Sequence, residues 1–371
     1  MRIDVERRRP VTEVVRVDPA MPSQTDIARA ADCLRRGGLV AFPTETVYGL
    51  GVHAMDPAAV RRLFDAKGRP ANDPLIVHVS SFAQVAPLVA ELPHDAERLA
   101  SRFWPGALTL ILRRAPSVPH AVTASLETVA VRVPAHPVAH ALLLAASVPI
   151  AAPSANLFSR PSPTLAAHVL DDLDGRIDMI LDGGPTSVGV ESTVLDVTVD
   201  PPVVLRPGAI SIEMLRTVVP AAEFAAGFTP ASDHEAMSSP GLLSKHYAPR
   251  APLTIYQGAS VAVGLALRKA AISAAARGQR VGVLVSTEDA GLLSDLDIVG
   301  GPPVVLGTLA SEDNAEATAA RLYATLRELD AARVDVILAR DIVNAHGLWR
   351  AVRDRLHRAA ARIVVVGTET A

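Results

Sequence analysis

The 371-residue chain is longer than a single hydrophobic core usually serves, so its length favours about two domains. Hydrophobic residues make up 49% of it and aromatic residues only 4%, which is typical of helices packed on sheets through small and branched side chains. With 36 Lys and Arg against 39 Asp and Glu, the net charge of -3 excludes a general attraction to nucleic acid or anionic membranes. Any anion-binding site must therefore be local.

The single cysteine, Cys33, excludes an intramolecular disulfide and a zinc site built from several cysteines. The charged first ten residues are not followed by the apolar segment of a signal peptide. No run of about 18 apolar residues could form a transmembrane helix. We therefore expect a soluble, cytoplasmic protein.

Residues 1–219 are expected to form a first α/β domain. Apolar residues at helical spacing predict its helices, and short apolar runs bounded by turn residues predict its strands. The strands are expected within 11–17, 39–42, 75–79, 103–112, 129–134, 148–152, 179–181, 191–196 and 203–209, and the helices over 26–36, 56–67, 136–147 and 212–218.

Residues 220–252 lose this periodicity and gather Pro, Gly, Ser and charge, so they are expected to be a linker. Two patterned stretches within it, 239–241 and 245–249, indicate a function beyond spacing.

A second domain, a smaller Rossmann-like α/β unit, is expected over 253–371, where strands and helices alternate again as in a mainly parallel sheet. Its strands are expected near 253–256, 281–285, 304–306, 334–338 and 363–366, and its helices over 261–277, 314–332 and 346–361. Five arginines make the last helix and its end basic, and a solvated outer face is expected for them: Arg350, Arg353, Arg355, Arg358 and Arg362.

Small polar residues follow several of the predicted strands. Thr44 and Thr46 come after the strand at 39–42, and Ser154 and Asn156 come after the strand at 148–152. Ligands of open α/β sheets bind at the carboxyl ends of strands, so these residues are candidates for a binding site. An ordinary polar turn is the alternative for each one alone.

Lys67 and Arg69 form a cationic pair beside Gly68 and Pro70. On an extended backbone the two side chains would point the same way. An ammonium and a planar guanidinium on a Pro-restricted loop suit phosphate oxygens, so we expect both at a solvent-facing anion site. A solvated turn is the alternative for so short a motif.

Arg132 lies inside an otherwise apolar predicted strand, 129–134. An unpaired buried guanidinium is costly, so Arg132 should meet either an anionic ligand or a structural carboxylate.

Eight segments occur in the order found in one known family: GGLVAFPTETVYGLG, KGRPANDPLIVHV, FWPGALTLIL, VAVRVPAHP, PIAAPSAN, STVLD, VLRPGAIS and SPGLLSKHYAP. From about Val17 to the C-terminus the chain resembles the threonylcarbamoyladenylate synthases of the Sua5 type. These join a YrdC-like domain, a twisted open sheet with helices, to a smaller Sua5 domain. The resemblance implies synthesis of threonylcarbamoyl-AMP and pyrophosphate from L-threonine, bicarbonate or CO2, and ATP, the first step toward the N6-threonylcarbamoyladenosine of tRNA.

The resemblance also implies roles for individual residues. The family's KxR…SxN tetrad, taken as catalytic, falls on Lys67, Arg69, Ser154 and Asn156. The residues implied to face L-threonine are Thr46, His78, Arg132, Ala152 and Ser192. The residues implied to contact ATP are Lys67, Arg69, Asp73, Thr128, Ser154, Asn156, Ser162, Arg206 and Tyr247.

Two places depart from the family's pattern. Asn72-Asp73 stands where Asp-Asn is common, and Leu157 to Arg160 replaces a frequent Ser-Gly turn. The departures bear on the ATP contact of Asp73 and on the contacts of that loop.

Mg²⁺ is expected to arrive with ATP, held by phosphate oxygens and water and not by a protein cage. The implied partners are the three small substrates and the downstream threonylcarbamoyl-transfer proteins that act on tRNA, without a membrane or stable nucleic acid binding. Tyr247 in the linker is expected to close over the nucleotide as a lid.

Two other classes stay open at this point. One is an RNA-binding module that uses the same cationic surface, which the net charge of -3 disfavours. The other is a carbamoyl-transfer domain of YrdC-like fold, as in hydrogenase maturation factors. That class would carry zinc-finger-like or acylphosphatase segments, which this sequence lacks.

Overall fold

The computed structural model describes residues 11–225, 246–293 and 303–367. Within them the chain forms an eleven-stranded mixed sheet followed by a separate five-stranded sheet. The α/β class expected for both domains is therefore confirmed. The patterned stretch 239–241, Lys245 and most of the expected linker lie outside the described residues.

The strands of the large sheet are β1 (Glu13–Arg16), β2 (Val40–Pro43), β3 (Tyr48–His53), β4 (Ile76–His78), β5 (Leu108–Arg113), β6 (Thr128–Arg132), β7 (Ile150–Ala151), β8 (Met179–Asp182), β9 (Thr193–Asp196), β10 (Val203–Arg206) and β11 (Glu223–Phe224). The helices of this part are α1 (Gln24–Arg35), α2 (Pro57–Lys67), α3 (His94–Phe103), α4 (His120–Thr123), α5 (Pro137–Ala146), α6 (Ala166–Leu173) and α7 (Ile212–Arg216).

The large sheet has the order β1-β8-β2-β3-β7-β4-β6-β5-β9-β10-β11 and is covered on both faces. Successive side chains of β2 point to opposite faces of the sheet, and both sets are buried. Val40 and Phe42 pack into the cluster beneath α1 and α5, whereas Leu39 and Ala41 belong to the larger cluster on the other face, with α2, α3 and α6. Strands buried on both faces account for the continuous apolar runs of the sequence.

Helix α2 sets the position of the Lys67-Arg69 pair. The side chain of Asp56 accepts hydrogen bonds from the amides of Ala58 and Ala59 and begins the helix, and Gly68, at φ 62°, ends it in the left-handed conformation that glycine adopts readily. Lys67 is thus the last helical residue. The predicted helix over 56–67 is therefore confirmed, and the side-chain alignment that an extended backbone would give Lys67 and Arg69 does not apply.

In the second sheet the strands are β12 (Leu253–Gln257), β13 (Val281–Val285), β14 (Val305–Thr308), β15 (Val336–Arg340) and β16 (Ala360–Val365). The helices are α8 (Ser260–Ala276), α9 (Thr287–Leu293), α10 (Ala315–Ala331) and α11 (Gly347–Ala359). All recorded strand pairs are parallel, in the order β14-β13-β15-β12-β16. The prediction of a mainly parallel sheet is confirmed, and α9 was not predicted.

Helices α8 and α9 pack on one face of this sheet, and α10 and α11 pack on the other. The face with α10 and α11 is turned toward the first domain. Arg327 of α10 pairs with Asp172 of α6 at 2.8 Å, and Arg355 of α11 pairs with Glu191 at 2.7 Å. The two domains therefore meet through buried ion pairs as well as apolar contacts.

Two expectations about this part need revision. Arg355 and Arg358 are buried, with 0% and 6% exposure, because they face the first domain, so a solvated face was the wrong expectation for them. The first sheet also continues to β11, beyond residue 219, because Val203 pairs with Glu223. The division into 1–219, 220–252 and 253–371 otherwise stays a prediction.

Candidate active site

A small cavity of about 50 Å³ lies where several strands of the large sheet end. In the parallel pair β4 and β6, His78 is in register with Arg132, so both reach the same edge. Nine of the residues expected from the sequence line this cavity: Thr46, Arg69, His78, Arg132, Ala152, Ser154, Ser192, Arg206 and Tyr247. Residues spread over two hundred positions are thus brought to one place.

Arg132 is buried and tied to the wall by three hydrogen bonds. Its Nε donates to the carbonyl of Gly106 at 3.1 Å, its Nη1 to the Thr46 hydroxyl at 3.0 Å, and its Nη2 to the Glu45 carboxylate at 2.6 Å. The buried arginine thus has the carboxylate partner that its surroundings require, and a guanidinium has five N–H donors. These bonds use three of them and leave a second N–H on each terminal nitrogen for a ligand.

His78 lines the same cavity as a neutral ring. Burial, and secondly the charge of Arg132, lower its pKa to about 3. Its Nδ1 lies 3.2 Å from the carbonyl of Ile76, within hydrogen-bond distance.

Ser192, which directly precedes β9, and Arg206, the last residue of β10, form a hydrogen-bonded group. The Ser192 hydroxyl lies 2.8 Å from that of Thr109, and Arg206 donates to both the hydroxyl and the carbonyl of Ser192 at 3.1 Å. Arg206 is 4% exposed, so its charge faces the cavity and its immediate partners.

Lys67 does not line the cavity. It is 2% exposed, and its Nζ donates to the carbonyls of Ser154 at 2.6 Å and Asn156 at 2.5 Å. Burial lowers the pKa of Lys67 well below its ordinary value, and the nearby charge of Arg69 lowers it further. A solvent-facing ammonium was therefore the wrong expectation, because helix α2 directs Lys67 beneath the turn that carries Ser154 and Asn156.

Arg69 was also expected to face solvent and is only 8% exposed. Its Nη2 pairs with the Asp73 carboxylate at 2.8 Å, and its side chain donates to the carbonyls of Asp73 and Pro74. These contacts fold the loop after α2 into a compact turn, so Arg69 reaches the cavity while Asp73 lies behind it.

Asn156, Thr128 and Ser162 also do not line the cavity. Asn156 donates through its amide to the carbonyls of Leu157 and Arg160, which shapes the loop that departs from the family's pattern. Thr128 begins β6 and lies four residues, roughly 13 Å, from Arg132. Its contact with ATP stays a prediction.

A buried network around Glu191 was missed in the sequence. Glu191 lines the cavity and accepts hydrogen bonds from Ser162 at 2.5 Å, Tyr323 at 3.0 Å and Arg355 at 2.7 Å. Burial alone would raise the pKa of Glu191, but the charges of Arg355 and Arg206 outweigh it and lower the pKa to about 2. Tyr323 and Arg355 lie more than 130 residues from Glu191 in sequence and Ser162 lies 29 away, so no local pattern indicated this network.

Tyr247 covers the cavity from the linker. It is 1% exposed, its ring lies 5.3 Å from the Arg355 guanidinium, and its φ of 63° is unusual for a residue other than glycine. Beside it, His246 packs edge-on against Phe158 and donates its amide to the carbonyl of Arg358. The end of the linker is therefore held between the two domains.

Two further findings concern membrane-spanning helices and metal sites. In the described ranges, no helix has the length and apolar character needed to cross a bilayer. The same residues contain no cluster of three or more His, Cys, Asp or Glu that could hold a metal ion.

Comparison with known proteins agrees with this architecture. A family model described as "Telomere recombination", for the Sua5/YciO/YrdC group, matches residues 32–208. A second, described as "Threonylcarbamoyl-AMP synthase, C-terminal domain", matches residues 210–361.

Among curated relatives, the threonylcarbamoyl-AMP synthase of Pyrococcus abyssi is 45% identical over 91% of this chain and 95% of its own. That of Bacillus subtilis is 44% identical over 94% and 96%. The crystal structure of P. abyssi Sua5 complexed with L-threonine has a TM-score of 0.86 at 42% identity, covering 96% of this chain and all of that one. The chain therefore belongs to the Sua5-type threonylcarbamoyl-AMP synthase family.

Proposed function

We propose that the cavity at the strand ends is the active site of a threonylcarbamoyl-AMP synthase, which makes threonylcarbamoyl-AMP and pyrophosphate from L-threonine, bicarbonate or CO2, and ATP. One observation carries the assignment within the cavity. Arg69, Arg132 and Arg206 converge on one small space together with hydroxyl groups. Such a set suits a carboxylate at one end and a polyphosphate at the other.

L-Threonine binds at the Arg132 end. The two remaining N–H groups of Arg132 donate to the carboxylate as a bidentate pair, and Glu45 and Thr46 keep the guanidinium from rotating. The neutral ring of His78 and the hydroxyl of Ser192 lie in the same cavity and orient the amine and side-chain hydroxyl. Ala152 leaves room beside them.

ATP binds at the end with Arg69 and Arg206. Hydrogen bonds to protein carbonyls already fix both guanidinium groups, so the two side chains lose little conformational freedom when they bind phosphate oxygens. Lys67 and Asn156 act as positioning residues, because they fix the turn that presents Ser154 to the cavity. Ser162 acts through Glu191 in the same way.

The chemistry then needs positioning and charge more than a dedicated base. The threonine nitrogen forms a C–N bond to CO2 and loses a proton, which gives a carbamate. A carbamate oxygen attacks the α-phosphorus, and the bond to the β-phosphate oxygen breaks as pyrophosphate leaves. Both partners are anions, so guanidinium groups that offset their repulsion and stabilise the departing charge lower the barrier.

Mg²⁺ accompanies ATP as the counter-ion of the phosphates and stabilises the charge on pyrophosphate. Its usual ligands in such sites are phosphate oxygens and water, and we assign it no protein cage. The product passes to threonylcarbamoyl-transfer proteins that modify tRNA.

Tyr247 serves as the lid of this site. Drug-sized ligands occupy pockets of about 300–1,000 Å³, so a cavity of about 50 Å³ must open before ATP can enter. Within the described part of the linker, His246 and Tyr247 line the cavity. Closure excludes water from a product that hydrolyses readily.

Pyrophosphate release by the purified full chain tests this function. With ATP and bicarbonate present, L-threonine should stimulate release strongly, and L-serine, which lacks the methyl group, should stimulate it less. Equal release with and without L-threonine would contradict the assignment. A steep salt dependence of RNA binding without turnover would favour the RNA-binding alternative.

A further inference from the structure

A second cavity, of about 340 Å³, lies entirely in the C-terminal domain. It opens at the carboxyl ends of three neighbouring strands, β14, β13 and β15. Its lining comes from the last residues of β13 and β15, from the residues that follow all three strands, and from α10 and α11. Among the residues that the structure describes, none lines both this cavity and the one proposed above as the active site.

The position of this cavity is the one where open α/β sheets bind ligands. After β13 the chain continues into α9 on one face of the sheet, and after β15 it continues into α11 on the other face. β13 and β15 are adjacent strands, and the chain leaves them toward opposite faces of the sheet. A crevice therefore lies between the connection to α9 and the connection to α11. Ligands of such folds bind outside the carboxyl ends of the strands at this reversal point.

The walls combine an apolar surface with one aromatic plane. Leu284, Leu309 and Ile342 line the cavity, and the partly buried ring of Trp349 lies at its side. Thr318 of α10 also lines it, is 2% exposed, and has a hydroxyl without a hydrogen-bond partner within the described residues. An apolar pocket of this volume with a few polar groups is typical of a small-molecule site.

The charged side chains that line this second cavity differ from those that line the proposed active site. Arg340, the one cation among the described residues that line the second cavity, already pairs with Asp289 at 2.5 Å and with Glu312 at 3.1 Å. The Glu312 carboxylate is half exposed, and a second lining carboxylate, Asp341, pairs with Arg353 and His357. Among the described lining residues, two carboxylates stand against one guanidinium that carboxylates already neutralise, so a phosphorylated ligand would find no unpaired cation there.

We propose that this cavity binds a phosphate-free small molecule with a planar ring, of the class represented by a nucleoside. The ring stacks on Trp349 and covers the apolar wall, as base and aromatic rings do elsewhere. The half-exposed Glu312 carboxylate accepts hydrogen bonds from hydroxyl or amino groups of the ligand. The same carboxylate would repel a phosphate group. The site is independent of the reaction at the catalytic cavity.

Tryptophan fluorescence can test the proposal in the full chain. Trp104 and Trp349 are its two tryptophans. A Trp104→Phe variant therefore reports on Trp349 alone when excited at a wavelength that nucleosides do not absorb. Adenosine, guanosine and uridine are the probes, with AMP and ATP as charged comparators. We expect a saturable change with at least one nucleoside and at least tenfold weaker binding of the matching phosphate.

Two further variants fix the location. Ala310→Phe in the same background fills the cavity and should abolish the response. Ile363→Phe, on edge strand β16, is the matched control and should keep it. Circular dichroism shows whether each variant is folded. No saturable response to any nucleoside, an equal response to AMP, or a response that survives Ala310→Phe in folded protein would each overturn the proposal.

Discussion

Arg355 of the C-terminal domain donates a hydrogen bond from Nε to the Glu191 carboxylate, 2.7 Å away, at the wall of the proposed active site. Both residues are buried, and Tyr323 of the same domain donates to the same carboxylate. The second domain therefore completes the wall of the proposed active site. Without it, Glu191 would be a buried carboxylate with its main cation removed.

Replacing Arg355 with alanine should destabilise the protein by about 3–5 kcal/mol, because the change leaves a buried charge without its partner. Turnover should fall as well, since Glu191 holds Ser162 and lines the cavity. Urea unfolding and pyrophosphate release measure the two effects. Arg362→Ala, at an exposed position on β16, is the control and should change both little. Equal stability of the two variants would show that the ion pair does not hold the domains together.

Replacing Lys67 with methionine tests whether this lysine positions the active-site turn. The variant keeps the packed stem but removes the donor to the carbonyls of Ser154 and Asn156, which costs roughly 1–3 kcal/mol for each buried acceptor left unpaired. Denaturant unfolding should show this loss together with reduced turnover. Lys269→Met, on the exposed side of α8, is the matched control. A Lys67→Met protein of unchanged stability but no activity would instead indicate direct contact with phosphate.

Arg132→Lys should weaken L-threonine binding more than ATP binding. An ammonium cannot make the bidentate pair that a guanidinium makes with a carboxylate, and the loss of about 2–3 kcal/mol corresponds to roughly 30- to 150-fold in affinity. Glu45 and Thr46 would also lose their shared partner. Binding of each substrate by calorimetry separates the two effects. A larger loss for ATP than for L-threonine would reverse the proposed orientation of the substrates.

Acid should destabilise the protein from pH 6.5 downward. Burial lowers the pKa values of His78 and His246 to about 3, so the unfolded chain takes up protons near pH 6.5 that the folded protein refuses. Stability is therefore present above pH 6.5 and is lost as the pH falls, by about 2 kcal/mol for each histidine between pH 7 and 5.

Urea unfolding at a series of pH values measures this slope. Glu191 contributes mainly below its unfolded-state pKa of 4.5, so the range between pH 6.5 and 4.5 isolates the histidines. His78→Asn should flatten the slope there, and His94→Asn, at an exposed residue, should not. An unchanged slope in His78→Asn would mean that His78 titrates normally.

Much of this architecture was predictable because the signals are local. Strands such as β13 are continuous apolar runs, and Asp56 and Gly68 mark the ends of α2. The strand-end residues that line the cavity, such as Thr46 and Ser154, were predictable for the same reason. Polar side chains directly after buried strands converge at one edge of the sheet.

What the sequence could not show depends on contacts between distant residues. The burial of Lys67 follows from its bonds to carbonyls 87 and 89 residues away. Arg355 looks like one more charge on a basic helix until α11 is placed against Glu191. The volume and acidity of the second cavity likewise arise only when three strand ends and two helices come together.

Mass spectrometry of the reaction with ¹³C-bicarbonate follows the label from bicarbonate into the product. We predict threonylcarbamoyl-AMP that carries one ¹³C atom and initially forms in equal amount to pyrophosphate, and we predict that the Arg132→Lys protein forms roughly 30- to 150-fold less of it at low L-threonine. Formation of ADP and phosphate in place of pyrophosphate, or a product without the label, would contradict the proposal that this cavity joins a threonine carbamate to the α-phosphate of ATP.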